Sequence, residues 1–186
     1  MPASAVSASP KGLFRRFRRD NRGSAAVEFS IIVVPFFALF FAIIESGIVF
    51  FASQVLENGV QDSGRMVFTN QMTGVNTTAA QFKSDLCTRV AVLMSCAGID
   101  IDVKYYAAGA TITLTEPIDG AGNFDNSGFG FNLPPANSTG TVVIRAFYRW
   151  PMYVTGWGYN IANVGRNTSN ARRLLGGLSA FHIEPS

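Results

Sequence analysis

The feature that most constrains this chain is an apolar run of 24 residues near its N-terminus. From Phe29 to Ala52 the only charged side chain is that of Glu45. At about 1.5 Å per residue, a helix of this length crosses a hydrocarbon core about 30 Å thick. The run also exceeds the apolar region of about 7–15 residues that is usual in a cleaved signal peptide. The sequence therefore predicts one transmembrane helix, Phe29 to Ala52.

Charge is distributed unevenly along the 186 residues. Residues 1–23 carry six basic side chains and one acidic side chain, a net charge of +5, whereas residues 24–186 carry nine basic and eleven acidic side chains. Basic residues before a span place that side in the cytoplasm, so the bulk of the chain is expected outside it. The mildly acidic body argues against a broad nucleic-acid-binding surface, which leaves a basic RNA-binding arm as the alternative interpretation. No nucleic-acid partner is predicted.

A short motif joins the basic leader to the apolar run. The leader ends at Gly23, small residues follow, and Glu28 and Phe29 begin the apolar helix. This arrangement resembles the processing site of type IV prepilins. It is most similar to that of the TadE-like minor pilins, or pseudopilins, of tight-adherence (Tad) pilus systems. Pro35, early in the span, and Glu45-Ser46-Gly47, near its outer end, match further features of that family.

The resemblance implies a processing step and a set of partners. A prepilin peptidase would cleave between Gly23 and Ser24 on the cytoplasmic side, and the apolar helix would stay in the bacterial inner membrane. The C-terminal region would lie in the periplasm, with the protein either held in the membrane or incorporated into the pilus. The implied partners are the inner membrane, other pilins or pseudopilins, and the Tad assembly machinery. The implied role is assembly of a Tad pilus for adhesion.

Elementary chemistry agrees with this motif. A residue without a Cβ atom lets the backbone at Gly23 enter a tight protease site. After cleavage, Glu28 would lie about one helical turn from the new α-amino group of Ser24, where the helix N-terminus favours a carboxylate; the alternative for Glu28 is a position among lipid headgroups. Glu45 is expected to snorkel to the outer interface or to continue the polar helix, with a contact between subunits as the alternative. Pro35 predicts a kink.

Two helices are predicted in the first half of the chain. Beyond the span, apolar residues recur every three or four positions, which predicts that the first helix continues to about Asn70. Thr77 or Thr78 can cap a second helix. One face of this second helix is apolar and is expected to pack on the rest of the protein: Phe82, Leu86, Val90 and Leu93.

The two cysteines, Cys87 and Cys96, are predicted to form a disulfide. Outside the cytoplasm such a pair is usually oxidised. In an unbroken helix their Cα atoms would be about 13.5 Å apart, whereas a disulfide requires about 7 Å or less. The helix is therefore expected to end between them, and the alternative is two buried thiols. A metal site is not expected, because His182 is the only histidine.

The remaining sequence predicts a small antiparallel sheet. Four segments alternate or have the composition of strands: 99–105, 110–116, 141–150 and 172–184. The loop from Pro117 to Gly140 is either a flexible connection or a partner-binding loop. Basic and aromatic residues gather near the third strand, and we attribute them to the ordinary division between core and solvent rather than to a carbohydrate or single-strand site. This set comprises Arg145, Arg149, Trp150, Tyr153 and Trp157.

Together these elements predict an α+β, single-pass membrane protein with a long pilin-like helix, a second helix and a small antiparallel sheet. The expected regions are a cytoplasmic leader (1–23), a transmembrane and extended helix (24–70) and a periplasmic α+β region (71–186). No catalytic or nucleotide-binding motif stands out, so neither enzyme activity nor a cofactor is predicted. The alternative function is a signal-anchored periplasmic or surface binding module without prepilin processing. The fate of residues 1–23 distinguishes the two.

Overall fold

The structure is a computed structural model that describes residues 23–68, 78–135, 138–154 and 159–184. The chain divides into two units, Met1–Phe41 and Ala42–Ser186, and the boundary falls within the first helix. Within the described residues the helices and strands are α1 (Ser24–Phe68), α2 (Ala79–Val90), β1 (Ile99–Ala107), β2 (Gly140–Pro151) and β3 (Arg172–Ile183). This order confirms the predicted α+β class, with a long apolar N-terminal helix, a second helix and a small antiparallel sheet.

Helix α1 has 45 residues and changes character along its length. It continues through Pro35, and its first half consists almost entirely of apolar residues. In its second half, buried residues recur three or four positions apart, the spacing of one face of an amphipathic helix. These are Val49, Ala52, Leu56, Val60 and Ser63. The predicted end near Asn70 lies outside the described residues, which include α1 as far as Phe68.

Helix α2 begins with a capping box. The backbone N–H of Gln81 donates to the hydroxyl of Thr78 at 3.3 Å, and the backbone N–H of Thr78 donates to the Gln81 side chain at 2.9 Å. The cap is therefore Thr78; Thr77, the other candidate, lies outside the described residues. The predicted apolar face is confirmed by the burial of Phe82, Leu86 and Val90, while Leu93 lies beyond the end of α2 and is half-buried.

Close approach and a buried hydrogen bond join α2 to the second half of α1. At Gly59 of α1, a Cβ atom would lie 2.9 Å from Val90 and 3.1 Å from Leu86, so only glycine allows this distance without a shift of these side chains. One turn farther along α1, the hydroxyl of buried Ser63 donates to the carboxylate of Asp85 at 2.8 Å. The two helices therefore pack with both apolar and polar complementarity.

After α2 the chain reverses through a single 3-10 turn, Cys96–Gly98, and enters β1. Helix α2 ends at Val90, between the two cysteines, as expected. The Cα atoms of Cys87 and Cys96 are 5.4 Å apart, and the structure joins their sulfur atoms in a disulfide. This bond ties the last turn of α2 to the start of the sheet.

The sheet has the strand order β1-β2-β3, and both pairs are antiparallel. The inner face of the sheet, which carries Ile144 and Phe181, packs on α1. A Cβ atom at Gly177 would lie 2.9 Å from Val60, and one at Gly64 would lie 2.5 Å from the ring of Phe181 and 3.2 Å from Ile144. Three of the four predicted strands are present, with small differences in their ends.

The prediction of a strand over residues 110–116 is wrong. This segment is irregular, although its residues alternate as in a strand. The edge of β1 is instead occupied by residues 130–132, whose backbone forms two hydrogen bonds of 2.8 Å with Val103. The carbonyl of Thr115 accepts a hydrogen bond from the side chain of Arg145 at 2.8 Å. Alternation indicates that a segment suits a sheet, but competition for the outer edge of β1 decides which segment pairs there.

Candidate functional site

The start of α1 contains the residues of the predicted processing motif. Gly23 is exposed, and a Cβ atom at its position would have no neighbour within 4 Å. Ser24 begins α1, and Glu28 and Phe29 follow within its first two turns, both exposed. Among the described residues, no packing contact requires a glycine at position 23, in contrast to Gly59.

The first half of α1 exposes large apolar side chains around its circumference. A span from Ala25 to Met66 is long and apolar enough to cross a membrane, with a mean hydropathy of 2.6 in its most apolar window. The exposed side chains include Phe29, Ile31, Ile32, Val34, Phe36, Phe37, Leu39, Phe40 and Phe41. Because soluble monomers rarely expose a continuous apolar surface of this size, the helix is compatible with membrane anchoring.

The prediction that Glu45 snorkels or continues the polar helix is wrong. Its side chain is only 6% exposed, and its carboxylate accepts hydrogen bonds from the backbone N–H groups of Tyr153, at 2.5 Å, and Val154, at 3.2 and 3.3 Å. The next residue, Ser46, forms a hydroxyl–hydroxyl hydrogen bond of 2.5 Å with Tyr159. Glu45 therefore attaches residues 153 and 154, which follow β2, to α1.

This contact has a clear physical cause. When β2 leaves the sheet at Pro151, the next backbone N–H groups lose their ladder partners and need an acceptor. A carboxylate satisfies them with charge-assisted hydrogen bonds. The residues involved are separated by 108 and 109 positions in the chain. No local pattern in the sequence could have connected them.

A buried ion pair lies on the outer face of the sheet. The guanidinium of Arg145, in β2, donates to the carboxylate of Asp102, in β1, and both side chains are almost fully buried. The rings of Phe129 and Phe147 lie 5.7 and 5.4 Å from the guanidinium carbon. The backbone N–H of Gly130 donates to the other oxygen of Asp102 at 2.9 Å. The carboxylate of Asp102 and the guanidinium of Arg145 therefore both have hydrogen-bond partners among the described residues, as the burial of charged groups requires.

Residues 129 and 130, in the segment from Pro117 to Gly140, are held against the outer face by these groups. In addition, the carboxylate of Asp119 accepts hydrogen bonds from the backbone N–H groups of Asn123, at 2.7 Å, and Ala121, at 2.9 Å. The backbone hydrogen bond from Asn123 is the main reason that the pKa of Asp119 lies below its usual value. Asp119 therefore stays ionised and closes a local turn in this segment.

The basic and aromatic residues near β2 do not form one site. Arg145 is buried in its ion pair. In contrast, Nη2 of Arg149 lies 3.6 Å from a carboxylate oxygen of Asp100, and its guanidinium carbon lies 4.8 Å from the ring centroid of Phe124. Trp150 packs against Tyr148 at the inner face, and Tyr153 is 79% exposed. Trp157 lies outside the described residues. This separation matches the expected division between core and solvent.

The outer edge of β3 is partly closed by side chains. The backbone N–H of Leu178 donates to the carboxylate of Glu57, in α1, at 3.0 Å. The backbone N–H of Leu174 donates to the side chain of Asn163 at 2.7 Å. Both bonds use N–H groups that would otherwise be available to another strand, which is one way that proteins prevent edge-to-edge pairing. No local pattern in the sequence predicts either contact.

Comparison with known proteins concerns mainly the first helix. Residues 23–65 match the family described as TadE-like protein. The matched range begins at Gly23 and includes Glu28, Phe29 and Glu45. Neither the curated proteins nor the solved structures gave a significant match. The TadE-like family is structural rather than catalytic. Residues 23–65 are therefore similar to TadE-like proteins, and this similarity supports a pilin-like protein associated with Tad pili.

Proposed function

We propose that this chain is a membrane-anchored TadE-like pseudopilin that a prepilin peptidase cleaves between Gly23 and Ser24. Its role is assembly of a Tad pilus that serves adhesion. The observation that carries the proposal is the first half of α1, where an exposed glycine without packing neighbours precedes an exposed apolar helix. The TadE-like match covers the same residues.

The two parts of the chain have different tasks in this proposal. Lipid, and later the apolar helices of other pilins or pseudopilins, covers the exposed residues of α1, because van der Waals packing and lipid contact require similar side chains. The sheet and α2 stay folded through their own core. The chain itself performs no chemical step. The leader peptidase and the Tad assembly machinery act on it.

The proposed topology follows from the charges. The six basic residues before Gly23 keep the N-terminus in the cytoplasm, and the region after α1 is periplasmic. A disulfide between Cys87 and Cys96 suits that oxidising compartment. After cleavage, the carboxylate of Glu28 pairs with an α-amino group, either that of its own Ser24 or that of a neighbouring subunit.

The test is the intact mass and N-terminal sequence of the protein from membranes with and without the prepilin peptidase. We expect a mature N-terminus at Ser24 only when the peptidase is present. Gly23→Val should block cleavage, because its branched side chain obstructs the protease site, yet leave the fold unchanged. Gly47→Ala is the matched control, since a Cβ atom there also has no neighbour within 4 Å.

A start at Met1 or Pro2 in both samples would contradict processing and leave a signal-anchored binding module. In that case the segment from Pro117 to Gly140 becomes the place to look for a ligand. If cleavage occurs, Glu28→Gln separates processing from assembly. We expect normal cleavage but impaired pilus formation, because the amide cannot form an ion pair with an α-amino group.

A further inference from the structure

An open cleft lies at the end of the sheet where β2 leaves it. Its volume is about 280 Å³, and it is lined by Ser95, Gly98, Tyr148, Arg149 and Arg172. Ser95 and Gly98 belong to the turn before β1, and Arg172 is the first residue of β3. None of these residues belongs to the TadE-like segment.

The lining of the cleft is rich in hydrogen-bond donors. The backbone N–H of Ser95 donates to the hydroxyl oxygen of Tyr148 at 3.4 Å, which leaves the hydroxyl hydrogen of Tyr148 available. Arg149 already contacts Asp100, but its side chain is 44% exposed. Among the residues that the structure describes, no carboxylate forms an ion pair with the guanidinium of Arg172. Two guanidinium groups and a hydroxyl are therefore available to an oxyanion.

The level of the cleft along α1 follows from contacts within the second unit. Glu57 contacts Leu178, and Gly64 lies against Phe181. Seven helical residues and three strand residues both span about 10 Å, so β3 runs nearly parallel to α1. Arg172 precedes Leu178 by six strand residues, or about 20 Å. The same distance along α1 is about 13 residues, so counting back from Glu57 places Arg172 at the level of about residue 44.

A second contact gives the same level independently. Arg172 of β3 lies opposite Pro151 of β2. Two residues after Pro151, the backbone N–H of Tyr153 donates a hydrogen bond to the carboxylate of Glu45 in α1. The helix there still exposes Ile44 and Ile48, at 42% and 46%. Tyr153 is itself 79% exposed, and tyrosine is typical of the zone where a protein meets lipid headgroups.

We propose that this cleft binds the phosphate of an anionic phospholipid in the outer leaflet of the membrane that α1 crosses. Arg172 is its main ligand, supported by Arg149 and the hydroxyl of Tyr148. The lipid is favoured over free phosphate because Arg172 lies near the level of residue 44, in the last third of the apolar run, where α1 still exposes Ile44 and Ile48. The proposal rests on the membrane anchoring in the proposed function but not on cleavage at Gly23.

The test uses the full chain, extracted in mild detergent and supplied with phosphatidylglycerol or with phosphatidylcholine. Native mass spectrometry counts the lipid molecules retained by the wild type and by the double variant Arg149→Gln/Arg172→Gln. We expect the double variant to bind phosphatidylglycerol about tenfold more weakly, because each basic side chain near a membrane surface contributes to anionic-lipid binding. The double variant Arg149→Lys/Arg172→Lys should retain most of the binding.

Controls separate the cleft from general charge and from the anchor. The variant Arg65→Gln/Lys83→Gln removes two positive charges from α1 and α2, and it should bind the lipid like the wild type. Circular dichroism establishes that each variant is folded. Equal retention by the wild type and the Arg149/Arg172 glutamine variant would overturn the proposal, as would complete displacement of the lipid by excess inorganic phosphate. A chain that is not recovered with membranes would contradict both the proposed function and this proposal. A chain that is recovered with membranes but retains phosphatidylglycerol and phosphatidylcholine equally would contradict only the proposal that the cleft binds an anionic lipid.

Discussion

The two halves of α1 contain similar apolar residues but use them differently. Leu39, in the first half, is 62% exposed, whereas Leu56, in the second, is fully buried. The second half alternates apolar and polar residues and places its apolar stripe against α2 and the sheet. The first half is apolar on consecutive positions, so no single stripe can bury it against one neighbour. A helix that is apolar around its circumference requires lipid or other helices.

The difference shows that one continuous helix can combine two kinds of stability. In the second half, stability comes from long-range contacts within the chain, including the close approach at Gly59, Gly64 and Gly177. In the first half the apolar side chains are exposed, and in the proposed function lipid or other pilin helices cover them. The carboxylate of Glu45 lies near the transition between the two, where the chain between β2 and β3 is bonded to the helix.

The largest expected effect compares two leucines of the same helix. Leu56→Ala should lower the free energy of unfolding of the second unit by about 2–5 kcal/mol, because it leaves a cavity in the core. Leu39→Ala should change it by less than about 0.5 kcal/mol. Urea denaturation of the full chain in detergent, followed by tryptophan fluorescence, measures both. Equal effects would contradict the division of α1 into a packed and an unpacked half.

The second prediction concerns the covalent tie between α2 and the sheet. Replacing both Cys87 and Cys96 with alanine should lower the free energy of unfolding by about 2–3 kcal/mol, as expected for closure of a short loop. Membrane insertion should be unaffected, because the apolar half of α1 makes no use of this bond. Alkylation before and after reduction, followed by mass spectrometry, tests whether the bond forms. Two alkylated thiols in unreduced protein would exclude it.

The third prediction concerns the carboxylate at the transition. Glu45→Ala should cost about 1.5–3 kcal/mol of unfolding free energy, because it removes the acceptor of two backbone N–H groups. Glu45→Gln should cost less, since its carbonyl oxygen can still accept. Hydrogen exchange at the amides of Tyr153 and Val154 reports the contact directly. Unchanged exchange in the alanine variant would mean that Glu45 does not hold this segment.

The smallest effect compares two helical glycines of α1. Gly64→Ala should destabilise the second unit by about 1–2 kcal/mol, because its Cβ atom would lie 2.5 Å from the ring of Phe181. Gly47→Ala has no such neighbour and should stabilise the helix by about 0.5–1 kcal/mol through its higher helix propensity. Thermal denaturation followed by circular dichroism distinguishes the signs. Two effects of the same sign would refute the packing difference.

Much of the fold could be predicted from short-range patterns. The apolar run, the capping Thr78 and the buried face of α2 are each encoded within a few turns of helix, and the strands around Val103 and Ile144 follow from alternation. The failures share one property, which is dependence on distant residues. The segment 110–116 lost the edge of β1 to residues 130–132, and nothing within either segment records that competition.

The sequence by itself determined the apolar length of α1, the α+β class and the Gly23-to-Phe29 motif from which we propose processing, because each depends on residue types at fixed local spacing. Only the tertiary structure decided that Glu45 is buried, that Arg145 pairs with Asp102 and that Arg172 faces an open cleft. These outcomes depend on backbone and charged groups that find partners more than 40 residues away. A buried polar group must be satisfied wherever the chain brings a partner, and the sequence does not state where that is.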